Sequence, residues 1–455
     1  MNITELLSES RSASNTLSRV KTIFNRFGFT SHAFEMLLEK YSALADQFKF
    51  TTTLPITAII LKRYPELIKR FVRPGIEFAV HGYLHIDYRK LSIKEQIEDF
   101  KKARDIFNYF QVPFTGFRAP YLKFNNDTSY ALGNLNFQWN SSHSIYWDVI
   151  PPNGYPKETY YEYLRVLDYY HALNCLDWLS LPEFSVDKRL IEIPVSLPDD
   201  EAIVERLRVF DPDRIAAIWN SILRKSYARG ELFTLQLHPE RVSVCSQALT
   251  DVIHSARELS PVVWIATLNE IADWWKEKEN FFIDVNDFAE EKYRVRVKCS
   301  GRATVLIRNC KAYCASSEWS HGYRNVANHE FILESPQIPV IGVGLNTSPE
   351  AVRFLQNEGY PVEAGLQSDR YSLYLNNLSR FKPADKKSLV DHIEYSEAPL
   401  VRFWRWPYQA KSALTITGDI DSVTLFDFLL RLVESRKQNK RQQFQFEVAR
   451  VGATI

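Results

Sequence analysis

Two histidines four residues apart are the first candidates for chemistry in this sequence. His81 and His85 stand as H-G-Y-L-H directly after the apolar run at 76–80, IEFAV. Imidazoles at this spacing can turn to one side of the chain and share a metal ion. Spacing alone favours a chance pair, but the position favours a metal, because parallel α/β folds bind ligands beyond the carboxyl ends of their strands.

A hydrolytic metal site needs a third ligand, usually a carboxylate, and an open position for water. Asp419 and Asp421, in T-G-D-I-D, also follow an apolar run. One of them could bind the metal while its neighbour acts as a base. An isolated D-x-D pair is more often a solvated turn or a helix N-cap, so these aspartates are candidates only in combination with the histidines.

Two further residues suit the same chemistry. Arg118, in G-F-R-A-P-Y, could hold a carboxylate through two hydrogen bonds, or it is an ordinary surface arginine beside a turn. His238, in L-Q-L-H-P-E, could act as a general acid, or it is a structural histidine. His238 follows the predicted strand at 232–237, and Arg118 is expected at a strand end, as the metal candidates are.

Short apolar runs alternate with helical patterns over residues 1–281. A helix at 61–72 is expected to kink or start at Pro65, and Ser92 with Glu95 forms a capping box that opens another helix. We predict strands at 55–61, 76–80, 190–195, 232–237 and 262–266. Strands that alternate with helices indicate parallel β/α units in an open sheet or a barrel.

A change of pattern after residue 281 predicts a second module. Residues 282–400 contain YRVRVKCSG and ATVLIRN, which alternate apolar and polar as half-buried antiparallel strands do, and then one strand followed by a capped helix. Residues 401–455 run from an apolar strand through the acidic turn to an amphipathic helix and a basic tail. We therefore expect a β/α main part over 1–281, a mostly β accessory module over 282–400, and a separate C-terminal segment over 401–455.

Composition narrows the class of protein. The 455 residues carry a net charge of +1 and are 45% hydrophobic, which is typical of globular proteins and gives no indication of a nucleic-acid partner. The aromatic content of 14% suits sugar stacking and large cores equally. The five cysteines include a C-x3-C pair, Cys310 and Cys314, which is a weak metal signal against free thiols. Neither a signal-peptide core nor a membrane-spanning run is evident, so we expect a cytoplasmic protein without a transmembrane segment.

The ordered motifs together resemble the polysaccharide deacetylase family, also called NodB-homology or carbohydrate esterase family 4 proteins. His81 and His85 match the family's H-[ST]-x-x-H motif, with Gly82 in place of Ser or Thr. The segment around Arg118 matches R-x-P-[YF] through Pro120 and Tyr121. Leu237 and His238 match a leucine-rich strand that ends in His, and IEIPVSLPDD at 191–200 and VVWIATLNEIADWW at 262–275 also look like the family.

One departure from the family pattern concerns its first motif, an Asp motif that precedes the His pair. Before residue 80 this sequence has only Asp46, in a helical pattern. The segment WPYQAKSALTITGDIDSVT, near the C-terminus, resembles the missing motif. The resemblance therefore implies a distorted β/α barrel that is circularly permuted, with an inserted mostly β module, or a strand supplied by a second chain in a possible homo-oligomer.

The resemblance also implies the ligands and the base. Asp421, His81 and His85 would bind a divalent metal ion, with zinc expected. Asp419 would deprotonate the attacking water, and Arg118 would hold Asp419 in place.

The remaining roles follow from the later motifs of the family. The backbone N–H of Tyr121 would stabilise the oxyanion, and His238 would protonate the leaving amine. Asp148, or another carboxylate, would orient His238, since Asn140 stands where relatives often carry Asp. Substrate-binding residues would be Pro120, Trp139 and Trp147.

The implied substrate is an N-acetylated sugar in a glycan or in a lipid- or nucleotide-linked intermediate. Two alternatives stay open: a hydrolase of a small non-sugar amide or formamide, and a non-catalytic carbohydrate-binding protein on the same fold. The module at 282–400 could bind glycan, cover the active site or mediate dimerisation.

Overall fold

The computed structural model describes residues 28–185, 189–431 and 433. Its helices are α1 (Ser31–Gln47), α2 (Ala58–Arg63), α3 (Pro65–Lys69), α4 (Ile93–Phe110), α5 (Asn126–Asn134), α6 (Lys157–Tyr169), α7 (Pro212–Arg229), α8 (Val242–Glu258), α9 (Leu268–Lys278), α10 (Pro349–Asn357) and α11 (Lys386–Tyr395). Short 3-10 helices cover Tyr88–Lys90, Pro120–Leu122, Pro152–Gly154, Pro239–Arg241, Ser368–Arg370 and Pro383–Asp385, and a π-helical turn covers Ala202–Arg206. No described helix is both long and apolar enough to cross a membrane.

The strands divide between the predicted main part and the predicted module. The main part holds β1 (Thr52–Ile56), β2 (Ile76–Val80), β3 (Gly116–Phe117), β4 (Trp139–Asn140), β5 (Ser144–Tyr146), β6 (Leu173–Asn174), β7 (Glu183–Phe184), β8 (Ile191–Glu192), β9 (Val195–Leu197), β10 (Leu232–Gln236) and β11 (Val263–Ile265). The later strands are β12 (Phe282–Ala289), β13 (Lys292–Lys298), β14 (Val305–Arg308), β15 (Lys311–Ala312), β16 (Ser316–Ser320), β17 (Tyr323–Val326), β18 (Glu330–Glu334), β19 (Ile338–Val343), β20 (Val362–Ala364), β21 (Tyr371–Leu375), β22 (Leu400–Phe403) and β23 (Ser412–Thr417).

The main sheet is a curled, distorted β/α barrel of nine strands. Its order is β10-β23-β1-β2-β3-β4-β8-β7, and β11 also pairs with β23. Every pairing is parallel except the one between β7 and β8. The last strand of the described chain, β23, thus lies between β1 and β10, with Thr52 opposite Ile416 and Gln236 opposite Thr417.

Burial explains why the central strands carry no charged residues and are largely apolar. All residues of β1, β10 and β23 are buried, as is usual in parallel sheets covered by helices. The predicted capping box of Ser92 and Glu95 opens α4, and Thr267 with Glu270 forms another at the start of α9. These caps satisfy backbone N–H groups that a helix start leaves unpaired.

The predicted strand at 55–61 is wrong in its second half. Strand β1 ends at Ile56, Thr57 serves as the N-cap, and Ala58–Arg63 is helical. The apolar residues Ile60 and Leu61 are buried on that helix rather than in the sheet. A short apolar run does not by itself distinguish a buried strand from a buried helix turn.

The predicted module begins with two four-stranded antiparallel sheets, β12-β13-β18-β15 and β16-β17-β14-β22. A three-stranded parallel sheet, β20-β19-β21, follows the first of these along the chain, and Ser348 caps α10 as the sequence indicates. Strand β22 pairs with β14 and extends to Phe403, three residues beyond the predicted limit of 400. From there Trp404 and Trp406 pack with Trp274 and Trp275 of the main part.

All five cysteines lie in the described part of the chain, and all are free. Their thiols therefore form no disulfide framework, in line with the irregular spacing in the sequence. The basic tail at 436–455 lies outside the described residues.

Candidate metal centre and active site

Sheet register brings the two distant motifs together. His81 N–H donates to the carbonyl of Ile56 (2.9 Å), and Ile420 N–H donates to the carbonyl of Pro55 (2.7 Å). The segment after β2 and the segment after β23 therefore both continue alongside the end of β1. Because parallel strands end at one edge of a sheet, the His pair and the Asp pair converge there.

His81, His85 and Asp421 form one cluster of possible ligand atoms. Nε2 of His81 lies 3.2 Å from Oδ1 of Asp421, and Nε2 of His85 lies 3.1 Å from Oδ2 of Asp421. One ligand atom from each residue lies within 4.8 Å of the others. Nδ1 of His81 donates to the carbonyl oxygen of Arg118 at 2.8 Å, so its Nε2 lone pair faces the cluster.

The donor set of this cluster fits a divalent cation. Two imidazoles and a carboxylate, all largely buried, are a ligand set typical of hydrolytic zinc sites. In the described part of the chain, Oδ1 of Asp421 is buried and accepts no hydrogen bond, a condition that bound metal would relieve.

The charge states of the ligands also suit a metal. Burial lowers the pKa of His85 to about 4, in spite of the opposing charge of Asp421. Burial would raise the pKa of Asp421, but His85 and His81 hold it well below its usual range. The cluster therefore presents a neutral His85 imidazole and an ionised carboxylate, the forms that ligate metals.

Gly82 explains the departure from the H-[ST]-x-x-H pattern. Its φ is +81°, in the left-handed region that favours glycine. An added Cβ would lie 2.6 Å from the hydroxyl oxygen of Tyr88 and 2.9 Å from the carbonyl oxygen of Leu84. The Tyr88 hydroxyl in turn donates to Asp99, so this glycine is required by the packing under the His loop.

Asp419 is held by a buried arginine, as the resemblance implies. Nη1 of Arg118 lies 3.0 Å from Oδ1 of Asp419 and also donates to Oγ1 of Thr417 (2.9 Å). Nε and Nη2 of Arg118 donate to the backbone and side chain of Ser141, and Nε2 of Gln236 donates to Oδ2 of Asp419 at 3.0 Å. This places Oδ2 of Asp419 3.8 Å from Nε2 of His81, at the edge of the ligand cluster.

His238 is oriented by Asp200, and the suggestion of Asp148 is wrong. Nδ1 of His238 lies 2.8 Å from Oδ1 of Asp200, whose other oxygen accepts from Arg241 at 3.1 Å. The Asp148 side chain is 64% exposed and its closest ion-pair contact is Lys225 at 3.9 Å. The sequence carried a usable signal for Asp200, because Asp199 and Asp200 follow the apolar run at 191–197.

The two tryptophans suggested as pocket walls are both buried in cores. Trp139 has no exposed surface and packs on Gly116, with its indole N–H donating to Thr115. Trp147 is 1% exposed and packs in the main hydrophobic core. Neither ring presents a face that a substrate could contact, so both assignments are corrected.

Tyr121 does lie beside the ligand cluster, and Pro120 before it is buried. The ring centroids of Tyr121 and His85 are 4.2 Å apart, in an edge-on contact. Tyr121 has φ +58°, which is uncommon for a bulky side chain and is often found at functional sites.

Arg431 is a contact that sequence reasoning missed. Its Nη1 lies 2.7 Å from Oδ2 of Asp421. The residue belongs to the helical segment that follows the Asp motif, so the strand, the ligand and this guanidinium are all parts of one C-terminal segment.

Gly418→Ala is expected to weaken the binding of a divalent cation, with zinc as the probe, about tenfold, since overpacking of this kind costs about 1–3 kcal/mol and tenfold is about 1.4 kcal/mol. An added Cβ would collide with the carbonyl oxygen of Leu237, just beyond the ends of β10 and β23, and is expected to push Asp421 away from the histidines. Competition with a chromophoric chelator measures the affinity. Gly301→Ala is the matched control, because nothing lies within 4 Å of its added Cβ. Equal zinc affinity in both variants would contradict the expectation.

Comparison with known proteins adds a family relationship. Residues 30–139 match the family model described as polysaccharide deacetylase. Among solved structures, a Mycobacterium smegmatis protein assigned as a polysaccharide deacetylase is 18% identical over 59% of this chain and 82% of that chain, with a TM-score of 0.41. A Pseudomonas aeruginosa PAO1 protein with the same assignment is 18% identical over 55% and 75%, and Puue allantoinase is 17% identical over 52% and 72%, each with a TM-score of 0.41. Functionally curated proteins give no match. Likenesses this remote assign no activity.

Proposed function

We propose that this hydrolase is a zinc-dependent enzyme that removes the acetyl group from an N-acetylated sugar. The proposal starts from the match of residues 30–139 to the polysaccharide deacetylase family. The observation that carries the proposal is the buried cluster of His81, His85 and Asp421, with ligand atoms within 4.8 Å of one another. Asp419 and His238 are carboxylate and imidazole groups at the same edge of the sheet, so a base and an acid accompany the ligands.

A divalent ion at this cluster would supply a Lewis acid that polarises the acetamido carbonyl and lowers the pKa of a water molecule. Asp419 accepts the proton that the attacking water loses as its oxygen bonds to the carbonyl carbon. Arg118 holds the Asp419 carboxylate beside the cluster through their 3.0 Å contact. The N–H of Tyr121 donates to the oxygen on which negative charge develops.

His238 completes the reaction by giving its proton to the nitrogen as the C–N bond breaks. Burial would lower the pKa of His238, but the charge of Asp200 raises it to about 10, so the imidazole carries a proton at neutral pH. An unprotonated amine is a poor leaving group, which is why the step needs an acid. The products are acetate and the free amino sugar.

A circular permutation is our proposal for how the family pattern is completed. Its support is the strand order, in which β23 lies between β10 and β1 although it follows β10 by about 180 residues in the chain. The 3.1 Å contact between His85 and Asp421 forms within one chain, which favours completion in cis over a swapped strand. We keep the three-part division, with the boundary of the inserted module moved from 400 to Phe403.

Acetate release is the direct test of this function. We expect the zinc-loaded chain to release acetate from neutral N-acetylglucosamine oligomers or from a nucleotide-linked N-acetyl sugar, to lose the activity on dialysis against a chelator, and to regain it on addition of about one equivalent of zinc. Enzymatic quantification of acetate provides the measurement. Activity on small formamides alone would favour the non-sugar amide hydrolase, and sugar binding without any hydrolysis would favour a non-catalytic protein.

A further inference from the structure

Lys123 is a buried cation near the candidate active site. It follows Tyr121 by two residues, is only 7% exposed, and has its Nζ 3.1 Å from the centroid of the Tyr169 ring. The Tyr169 ring contacts the Tyr121 ring at 6.3 Å, and Tyr121 contacts His85 at 4.2 Å. A row of aromatic rings thus connects the ligand cluster to this ammonium group.

The charge of Lys123 is not neutralised by the described part of the chain. Across residues 28–185, 189–431 and 433, no carboxylate oxygen lies within 4 Å of its Nζ, whose close contact is the ring face of Tyr169. Asp87 is near enough to favour the charged form, but its oxygens are held by Arg89, with an Nη2–Oδ2 distance of 3.1 Å. Burial lowers the pKa of Lys123 to about 8, so the amine is still mostly charged at pH 7.

A buried ammonium without a counter-ion is costly, because desolvation of the charge is not offset by a nearby anion. Cations kept in this state beside an active site commonly serve a ligand that brings the opposite charge. Tyr169 is 38% exposed, so part of its ring is also open to a sugar, and aromatic rings pack well against such surfaces.

We propose that Lys123 and Tyr169 form a subsite for an anionic group, a carboxylate or a phosphate ester, that the N-acetylated substrate carries close to its acetamido group. This inference rests on the proposed function, since it assigns a substrate class to the same site. Neutral N-acetyl sugars would bind to the metal centre without engaging this subsite.

Calorimetric titration of the zinc-loaded full chain separates the possibilities with three probes. N-acetylmuramic acid carries a carboxylate, UDP-N-acetylglucosamine carries phosphates, and N,N′-diacetylchitobiose is neutral. Lys123→Met should weaken binding of at least one anionic probe about tenfold or more, the loss of one charge-assisted hydrogen bond, and should leave the neutral probe unchanged. Which anionic probe responds distinguishes a carboxylate substrate from a phosphate substrate.

Two variants control for packing and for general loss of charge. Lys123→Arg should retain the affinity for the anionic probe within about threefold, because it keeps the cation. Lys292→Met removes another lysine that lies over a tyrosine ring, at 5.3 Å from Tyr313, in the accessory module, and should change nothing. Equal losses on charged and neutral probes, or no loss on any probe, would overturn the subsite.

The outcomes for the subsite and for the proposed function can be told apart. If no probe releases acetate but Lys123→Met still weakens only anionic probes, the N-deacetylase proposal fails and the subsite stands. If acetate is released and Lys123→Met has no charge-dependent effect, the subsite fails and the N-deacetylase proposal stands.

Discussion

Asp421→Asn is expected to purify with less than about 0.2 equivalents of zinc and to lose acetate release about a thousandfold, because metal stabilisation of the transition state is worth several kcal/mol and each 1.36 kcal/mol is tenfold. Oδ1 of Asp421 lies 3.2 Å from Nε2 of His81, and Oδ2 lies 3.1 Å from Nε2 of His85. Replacing it by an amide removes the anionic ligand and leaves its volume nearly unchanged. Metal analysis by mass spectrometry and an acetate assay give the two readouts.

Asp419→Asn is the matched control for this prediction, since it lies two residues away on the same loop. Its contacts are with Arg118 and Gln236 rather than with both imidazoles. We expect this variant to keep about one equivalent of zinc and to lose activity about a hundredfold or more, the usual contribution of a general base. A metal-replete, active Asp421→Asn protein would refute the ligand assignment, and loss of zinc in both variants would remove the division of roles between the two aspartates.

Site residues at strand ends could be predicted from the sequence because the apolar residues of a strand precede them. His81, Arg118, His238 and the Asp pair each follow or end a run of apolar residues, and parallel strands deliver such positions to one edge. Gln236 could not be assigned, since a polar residue inside a buried strand has no sequence signature. It is Nε2 of Gln236 that holds Oδ2 of Asp419, and only the register of β10 against β23 reveals it.

The errors in the sequence interpretation have the same physical origin. The resemblance suggests Asp148 because Asn140 stands where relatives often carry Asp, but the Asp148 side chain is exposed to solvent, whereas Asp200, 52 residues later, contacts His238 inside the protein. In a sheet covered on both faces, the period of a strand does not say which side faces the ligand. Trp139 illustrates this, because it is fully buried and packs against Gly116.

Packing around β23 suggests why the C-terminal strand can occupy a central place in the sheet. Its six residues are all buried, and it pairs with β1, β10 and β11. The module inserted before it returns the chain through Trp404 and Trp406, which pack with Trp274 and Trp275 at the end of the main part. The entry to and the exit from the module therefore lie in one aromatic cluster, and a long insertion there costs little in loop-closure entropy.

Asp200→Asn is expected to lower kcat about a hundredfold or more, the usual contribution of a general acid, and to move the basic limb of the pH profile to lower pH. Burial favours neutral His238, whereas the carboxylate of Asp200, 2.8 Å away, raises the pKa of His238 to about 10. Because the pKa of His238 is higher in the folded than in the unfolded protein, protonation of His238 stabilises the folded state. This contribution is present in full below the unfolded-state pKa of about 6.5 and is lost as pH rises through the folded-state pKa of about 10. The wild-type protein should therefore keep its acid up to about pH 10, and Asp200→Asn should lose it at least about one pH unit earlier.

Asp199→Asn tests whether this shift belongs to the pair of His238 and Asp200. Asp199 is buried beside Asp200, and burial together with the charge of Asp200 raises the pKa of Asp199 to about 7, so it titrates in the neutral range. Its side chain accepts from the N–H of Ala202 at 2.8 Å and has no hydrogen bond to His238 in the described structure. Removing it should leave the basic limb of kcat in place, since the partner that charges His238 is retained. If Asp200→Asn shows an unchanged basic limb, or if Asp199→Asn shifts that limb equally, His238 is not the acid that protonates the leaving amine.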